Sequence, residues 1–274
     1  MADFSTEIKH SKRFAFGENW SRFLDVVDED RIQEAVTSLQ KMLGKERLDG
    51  LTFLDVGSGS GLFSLAAWRL GAKVYSFDYD SESVATTTEM RRRYCRDESS
   101  WKIEKGSVLD TAYLSRLGRF DIVYSWGVLH HTGNMWQAME NISPLACPNG
   151  WLFIALYNDQ DFISKIWLKV KQIYCSGRIS RLFVILIFFP FFSVMGLLGD
   201  VLRKKNPLRR YTEYRQSRGM SLYHDWIDWL GGYPYETAKP EVVFDFYTER
   251  GFVMTKLVTR QSLGCNEFVF NKIA

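Results

Sequence analysis

FLDVGSGSGLFSLAAWRLGAKVYSFDYD, residues 53–80, decides the fold. An apolar run of strand length ends at Val56 and breaks into glycines at 57, 59 and 61. A helix-forming stretch reaches Leu70, and a second apolar run closes on Asp78. Glycine at these positions lets the backbone turn sharply and approach a ligand at a helix N-terminus, where a side chain would stand in the way. Strand, glycine turn, helix, strand and acid together make one βαβ unit of a sheet that binds a nucleotide-like molecule.

Detail decides which nucleotide. A dinucleotide fingerprint needs a third glycine where this chain has Leu62. Asp55, two residues before the first glycine, would oppose a pyrophosphate but suits a cationic amino group. Asp78 is placed to accept hydrogen bonds from both ribose hydroxyls.

Outward from this unit, apolar runs at 51–56, 73–78, 101–106, 120–125 and 150–157 alternate with helical stretches at 61–70, 81–94, 110–117 and 134–145. After an interruption, a helix at 240–250 and two strands, FVMTKLVT and CNEFVF, resume the pattern. Alternation of this kind predicts an α/β fold, a Rossmann-like, mostly parallel sheet of seven strands. Two helices precede it. The expected organisation is an N-terminal helical cap (1–49), a core (50–157 and 240–274), and a basic, apolar helical insertion (158–239) between strands 5 and 6.

The chain resembles a class I S-adenosylmethionine-dependent methyltransferase, whose acidic-x-Gly-x-Gly-x-Gly turn matches Asp55, Gly57, Gly59 and Gly61. The resemblance implies an enzyme with S-adenosyl-L-methionine as methyl donor, S-adenosyl-L-homocysteine as product, and an antiparallel last strand. It also implies that the first loop, Ser58 included, holds the amino acid part of the cofactor. Asp78 and Tyr79 would lie at the ribose, Ser107 and Val108 beside the adenine, and Trp126 on the methionine side.

Methyl transfer is an in-line displacement, so the protein chiefly aligns acceptor and methyl and excludes water; a base is needed only where the acceptor carries a proton. SWGVLHHTGNMW follows the fourth strand, at the sheet edge where ligands collect. His131 is the first candidate for that base and His130 the second. The region through Asn158 resembles the ubiquinone-biosynthesis O-methyltransferases, with a histidine matching His131 and an asparagine near Asn158. That resemblance implies a phenolic acceptor on a lipid tail and puts Tyr157 and Asn158 beside it. In YHDWIDWLGGYPYE, Tyr223, His224, Asp225 and Asp228 are candidates to line the acceptor pocket; the plainer reading is an amphipathic helix with Trp226 and Trp229 in the core. FAFGENWSRF is read as a lid over the cofactor, or as packing anchors Phe14, Phe16 and Trp20.

Leu182 to Gly199 runs eighteen residues without a charge. At about 1.5 Å per residue it reaches about 27 Å, against a hydrocarbon layer of about 30 Å. A single crossing would nevertheless put strands of one sheet on opposite sides of a bilayer. Pro190 predicts two short helical halves with a bend. Upstream, Phe162, Ile166, Val170 and Ile173 fall on one helical face, with Lys165, Lys169 and Lys171 away from it; RKKNPLRR follows downstream. Between Lys165 and Arg218 stand twelve Lys or Arg against Asp200 and Glu213, a local +10 that leaves −7 for the rest of a chain whose total is +3.

That distribution predicts an anionic membrane surface as partner, with the insertion as lid and anchor; the plainer reading is an apolar run packed within the insertion itself beneath a solvated charged face, and a homodimer interface is the other use of such a patch. The modest total argues against nucleic acid. No apolar signal centre occupies the first twenty residues, so a cytoplasmic location is expected, peripheral on the cytosolic membrane face. Cys95, Cys147, Cys175 and Cys265 are widely spaced, with no metal site expected. The leading expectation is O-methylation of a hydrophobic or membrane-associated small molecule. The alternatives are a soluble small-molecule or sugar methyltransferase acting at O or N, and a non-enzymatic cofactor-binding or assembly protein.

Overall fold

The strands are β1 (Thr52–Val56), β2 (Lys73–Asp78), β3 (Trp101–Lys105), β4 (Phe120–Trp126), β5 (Ala146–Tyr157), β6 (Phe252–Val258) and β7 (Cys265–Lys272). They form one sheet in the order β3-β2-β1-β4-β5-β7-β6. β3, β2, β1, β4 and β5 pair in parallel, and β7 runs antiparallel to both β5 and β6. The chain steps one way from β1 to β2 and the other way to β4, so a crevice opens at the carboxyl ends of β1 and β4, where such sheets bind ligands. This computed structural model describes residues 13, 14, 16, 17, 20, 23–95, 97–203 and 222–273.

The helices are α1 (Glu29–Leu43), α2 (Leu62–Arg69), α3 (Ser81–Tyr94), α4 (Thr111–Leu114), α5 (Met135–Ile142), α6 (Phe162–Cys175), α7 (Arg178–Leu202), α8 (Leu222–Gly231) and α9 (Pro240–Thr248). Successive strand residues point to opposite faces, so the sheet carries two cores. Leu54, Val123 and Ile154 pack with Met139 of α5 and Val243 and Tyr247 of α9. Their neighbours Phe53, Ile122 and Phe153 pack with Ile32 and Leu39 of α1, Leu65 of α2 and Met90 of α3. The near-continuous apolar strands reflect this two-sided burial. α1 occupies the expected span, capped by the Asp28 carboxylate, which accepts from the Arg31 N–H at 3.0 Å.

The insertion leaves at the end of β5 and returns beside it. Ala238 N–H donates to Tyr157 O at 3.0 Å and Asp159 N–H donates to Ala238 O at 3.2 Å, so both stems are tied to the sheet edge. Two expectations are corrected here. α7 is one helix that runs through Pro190. Its stripe of Val184, Ile185, Phe188, Phe189 and Phe192 packs on both sides of the proline, against Trp167 and Tyr174 of α6 and Leu230 of α8, which keeps it continuous where one backbone donor is lost. Lys171 does not face away: it is fully buried. Positions 164, 171, 174 and 175 form the inward stripe of α6, and the lysine sits in its middle. Of RKKNPLRR, only Arg203 lies within the described residues.

The rest of α7 is bare. Leu182, Phe183, Leu186, Phe191, Val194 and Met195 are among twelve of its large apolar side chains left exposed, and Phe162, Ile166 and Ile173 of α6 continue the surface.

Candidate functional site

The glycine turn takes its shape from a backbone that only glycine adopts readily. Gly57, Gly59 and Gly61 have φ of 81°, 54° and 78°. A Cβ at Gly57 would sit 2.4 Å from Val128 Cγ1, so there is no room for a side chain either. The Asp78 carboxylate accepts from Gly59 N–H at 2.9 Å and from Asp80 N–H at 2.9 Å. Each oxygen takes one donor and keeps a second acceptor site, the capacity a vicinal diol requires. Burial pushes this carboxyl up to about 6, against the backbone hydrogen bonds that lower it.

Asp55 lies beneath the turn, where its Oδ2 accepts from Ser64 Oγ at 2.5 Å. Ser64 Oγ is 2.7 Å from Ser76 Oγ, which also accepts from Trp101 Nε1 at 2.8 Å. Burial raises Asp55 to about 7, the Ser64 bond opposes this, and the nearby Asp78 adds to it. Two buried acids held above the usual carboxylate range at a ligand crevice fit a ligand that brings positive charge. S-adenosylmethionine brings an ammonium, a sulfonium and a ribose diol.

The other expected cofactor residues surround the same crevice. Ser58 Oγ pairs with Thr87 Oγ1 at 2.9 Å, anchoring the turn to α3. Gly106 N–H donates to Asp78 O at 2.9 Å, which brings the Ser107–Val108 loop against the end of β2. Val108 O accepts from Asn141 Nδ2 at 2.9 Å. Trp126 ends β4 and is 43% exposed, leaving its indole accessible beside the turn.

An N-terminal strap covers this cradle. Gly17 N–H donates to Asp80 Oδ2 at 2.9 Å, the Trp20 indole lies 3.1 Å from where a Gly59 Cβ would be, and the Arg13 guanidinium stands 5.4 Å over the Tyr79 ring. Arg13 also donates to His131 O at 2.6 Å and Thr132 O at 3.1 Å, and the Phe16 ring centroid is 4.8 Å from that of His131. One strap therefore touches both the glycine turn and the histidine loop. Arg13 was not among the sequence candidates; a cation set among aromatic residues was the only signal.

The histidines differ in chemistry. His131 Nδ1 is 2.6 Å from Pro234 O, a carbonyl that can only accept, so the proton sits on Nδ1 and the Nε2 lone pair is free. Burial, with Lys171 and Arg13 nearby, pushes His131 down to about 3, so it is neutral near pH 7. His130 is wholly buried, its ring 4.0 Å from that of Tyr157. Its Nδ1 accepts from Tyr157 N–H at 3.3 Å, which leaves the proton on Nε2. That atom is buried without a hydrogen-bond partner among the described residues.

Tyr157 also meets Trp229 at 5.8 Å and Tyr235 at 5.3 Å. The charges of Asp225 and Asp228 are close enough to help raise its hydroxyl, after burial. Trp229 is half-buried on the inner side of α8, and Trp226 packs on Phe189 and Phe192 of α7. Asn158, expected beside the acceptor, has both amide hydrogens taken by Arg260 O at 2.8 Å and Ser262 O at 3.3 Å, and accepts from Asn266 Nδ2 at 3.0 Å. It ties the β6–β7 hairpin to β5. The side chains of Tyr223 and His224 lie outside the described residues. Lys171, over the Trp229 and Tyr235 rings, and Glu236, beside the histidine loop, belong to the same cluster and were missed from sequence. Glu236 Oε2 accepts from Met135 N–H at 2.9 Å at the start of α5, and Glu236 N–H donates to His130 O at 3.0 Å.

Known proteins share this fold. A family profile described as a methyltransferase domain, Methyltransf_23, matches residues 27–187. The ubiquinone biosynthesis O-methyltransferase of Brucella melitensis biotype 2 is 32% identical over 111 residues, 40% of this chain and 43% of that protein. The enzyme of the same description from Leptothrix cholodnii is 26% identical over 121 residues, 44% and 49% of the two chains. The match thus spans less than half the length of these relatives. In fold, the chain is similar to magnesium protoporphyrin IX methyltransferase from Synechocystis PCC 6803, solved with S-adenosylhomocysteine, at a TM-score of 0.52 and 14% identity over 88% of this chain and 83% of that one. With the acid-ended β2, the glycine turn and a domain match over more than half its length, the chain belongs to the methyltransferase-domain family and is a class I S-adenosylmethionine-dependent methyltransferase.

Proposed function

We propose that the enzyme methylates an oxygen of a hydrophobic, membrane-held small molecule while its insertion (158–239) lies on an anionic bilayer surface, on the cytosolic side. The bare apolar surface of α7 carries this reading. A helix apolar all round is normally buried in protein or lipid, yet only Val184 and Asp200 of α7 are buried. Its exposed apolar area is on the order of 1,000 Å², where a monomer's largest patch is typically 300–600 Å². Lys165 and Lys169 on α6 and Arg178 and Arg181 at the start of α7 are exposed around that surface, as an anionic leaflet would require. The names of the partial relatives, which specify O-methylation in ubiquinone biosynthesis, support an oxygen acceptor.

In this reading Asp78 holds the ribose, Asp55 lies toward the ammonium, and the glycine turn at 57–61 lies against the methionine end. When bound, the donor would supply an electrophilic methyl on a sulfonium for in-line transfer to the acceptor oxygen, the carbon–sulfur electron pair remaining on sulfur, and the acceptor's proton would leave to solvent before the site closes. His131 Nε2 accepts that hydroxyl hydrogen and fixes the oxygen in line. Arg13, Phe16, Gly17 and Trp20 of the strap close over both ligands and exclude water.

Flotation with phosphatidylcholine vesicles, with and without 30% phosphatidylglycerol, tests the membrane seat. The protein is expected to float with the anionic vesicles, less so in high salt, and Lys165, Lys169, Arg178 and Arg181 changed together to Glu should leave it at the bottom. Protein that never floats, and that light scattering shows as a lipid-indifferent dimer, would overturn the membrane reading and assign the apolar face to a second subunit.

A further inference from the structure

Lys171 carries chemistry that the reaction as described does not use. Its ammonium is fully buried and stands 4.3 Å from the Trp229 ring centroid and 4.9 Å from that of Tyr235. Among the described residues its one hydrogen bond goes to Trp229 O, in the last turn of α8. A C-terminal cap of that kind occupies one of three N–H groups, and surface lysines make it without the cost of burying a charge. Two donors remain beside these rings, and no carboxylate lies within ion-pair distance of Lys171 among the described residues. Asp228 and Cys175 act on Lys171 only at longer range, and burial pushes it down to about 7. The charge of Lys171 reaches both His130 and His131. His130 adds the buried Nε2 hydrogen that has no partner. The two groups thus lie among one set of connected rings, His130 against Tyr157 and Lys171 over the Trp229 and Tyr235 rings that Tyr157 meets.

His131 sharpens what those donors are for. A neutral imidazole held to about 3 is a poor place to leave a phenolic proton, whose ordinary pKa is about 10. A cation beside the oxygen solves this, because it favours the ionised acceptor, and the anion in turn favours the protonated form of Lys171.

We propose that Lys171, assisted by His130 Nε2–H, binds the acceptor's reacting oxygen as an oxyanion, so that the enzyme selects acidic hydroxyls on planar rings, phenols above all, and methylates them as phenolates. His131 is then a positioning residue that receives the hydroxyl on entry, while the proton leaves to solvent. This rests on the reading that the acceptor oxygen lies against His131, and it is independent of membrane binding.

The test uses 4-nitrophenol, whose phenolate has its own visible absorbance, and neutral 4-nitroanisole, with S-adenosylhomocysteine present. Wild type is expected to bind the phenolate and to lower the bound probe's pKa by about one unit or more, a tenfold preference. Lys171→Met should lose that shift and at least tenfold in phenolate affinity while holding 4-nitroanisole and S-adenosylhomocysteine as before; Lys171→Arg, which keeps the charge, should restore part of the shift. A wild-type protein that binds no phenolate, or binds it with an unshifted pKa, overturns the proposal, as does a folded Lys171→Met that keeps the shift. A shift that survives while His131→Ala leaves both affinities unchanged would instead remove the acceptor from His131 and leave Lys171 as an anion site.

Discussion

Asp55→Asn should change how the stability of the ligand-free enzyme depends on pH. The carboxyl is buried between β1 and α2, and its folded-state pKa is pushed from 3.8 up to about 7 by burial, with Asp78 adding and Ser64 opposing. The folded protein therefore keeps this proton to about pH 7, whereas the unfolded chain releases it near pH 4. Between those values the folded state binds more protons, so stability falls as pH rises; the contribution is complete below about pH 4 and gone above about pH 7. Three pH units at about 1.4 kcal/mol each amount to about 4 kcal/mol. Because Asp78 is also raised and interacts with Asp55, the pair titrates together, and the variant reports the share that disappears with Asp55. Asparagine keeps the shape and an acceptor for Ser64 Oγ. Urea unfolding followed by tryptophan fluorescence from pH 4 to pH 8 should show the wild-type curve falling by about 4 kcal/mol more than the variant curve. Two curves that stay parallel across this range would refute the placement of an uncompensated buried acid under the turn.

Asp78→Ala is expected to weaken S-adenosylmethionine binding by about 1–3 kcal/mol, the cost of losing hydrogen bonds to an ionised group; unchanged calorimetric affinity would remove Asp78 from the ribose. Gly57→Ala should destabilise the protein by more than the about 1–2 kcal/mol of a left-handed Cβ, because the new methyl also meets Val128, and adding Val128→Ala should recover the clash but not the backbone cost. The two melting temperatures separate these parts. Trp20→Ala removes the indole over Gly59 and should speed S-adenosylhomocysteine release in stopped flow with little change in melting temperature; an unaltered release rate would make the strap a packing element only.

Much of this was legible in the sequence because two periodicities carry it. The glycines of the 57–61 turn and Asp78 fall where the βαβ pattern puts them, and the parallel sheet follows from apolar runs buried on both faces. The insertion was harder. On α6 the exposed face mixes Phe162, Ile166 and Ile173 with Lys165 and Lys169, while Ser164 and Lys171 point inward beside Tyr174 and Cys175, so neither face is uniform in polarity. Periodicity identifies a stripe but not what it packs against, and the partners here include the aromatic residues Trp229 and Tyr235. Asn158 shows the converse: a polar residue at the right place in the sequence is taken up by a hairpin that lies about a hundred residues away.

α6 joins the two halves of the functional reading. Its outer apolar residues share the surface of α7, and its inner stripe carries the buried Lys171 proposed to meet the acceptor. Rings connect them without a break: Phe188 of α7 is 5.4 Å from Trp167, Trp167 is 5.3 Å from Trp229, Trp229 is 5.8 Å from Tyr157, and Tyr157 is 4.0 Å from His130. Aromatic faces favour planar apolar molecules, whereas the buried ammonium at the end of the series favours an anionic oxygen. Under the two proposals above, an acceptor that combines both features, an apolar body for the α7 surface and an acidic hydroxyl for Lys171, gains from each end of the same path. A sugar offers neither a flat apolar body nor a hydroxyl acidic enough for the cation to ionise, which is the physical reason for placing lipophilic phenols ahead of sugars as acceptors.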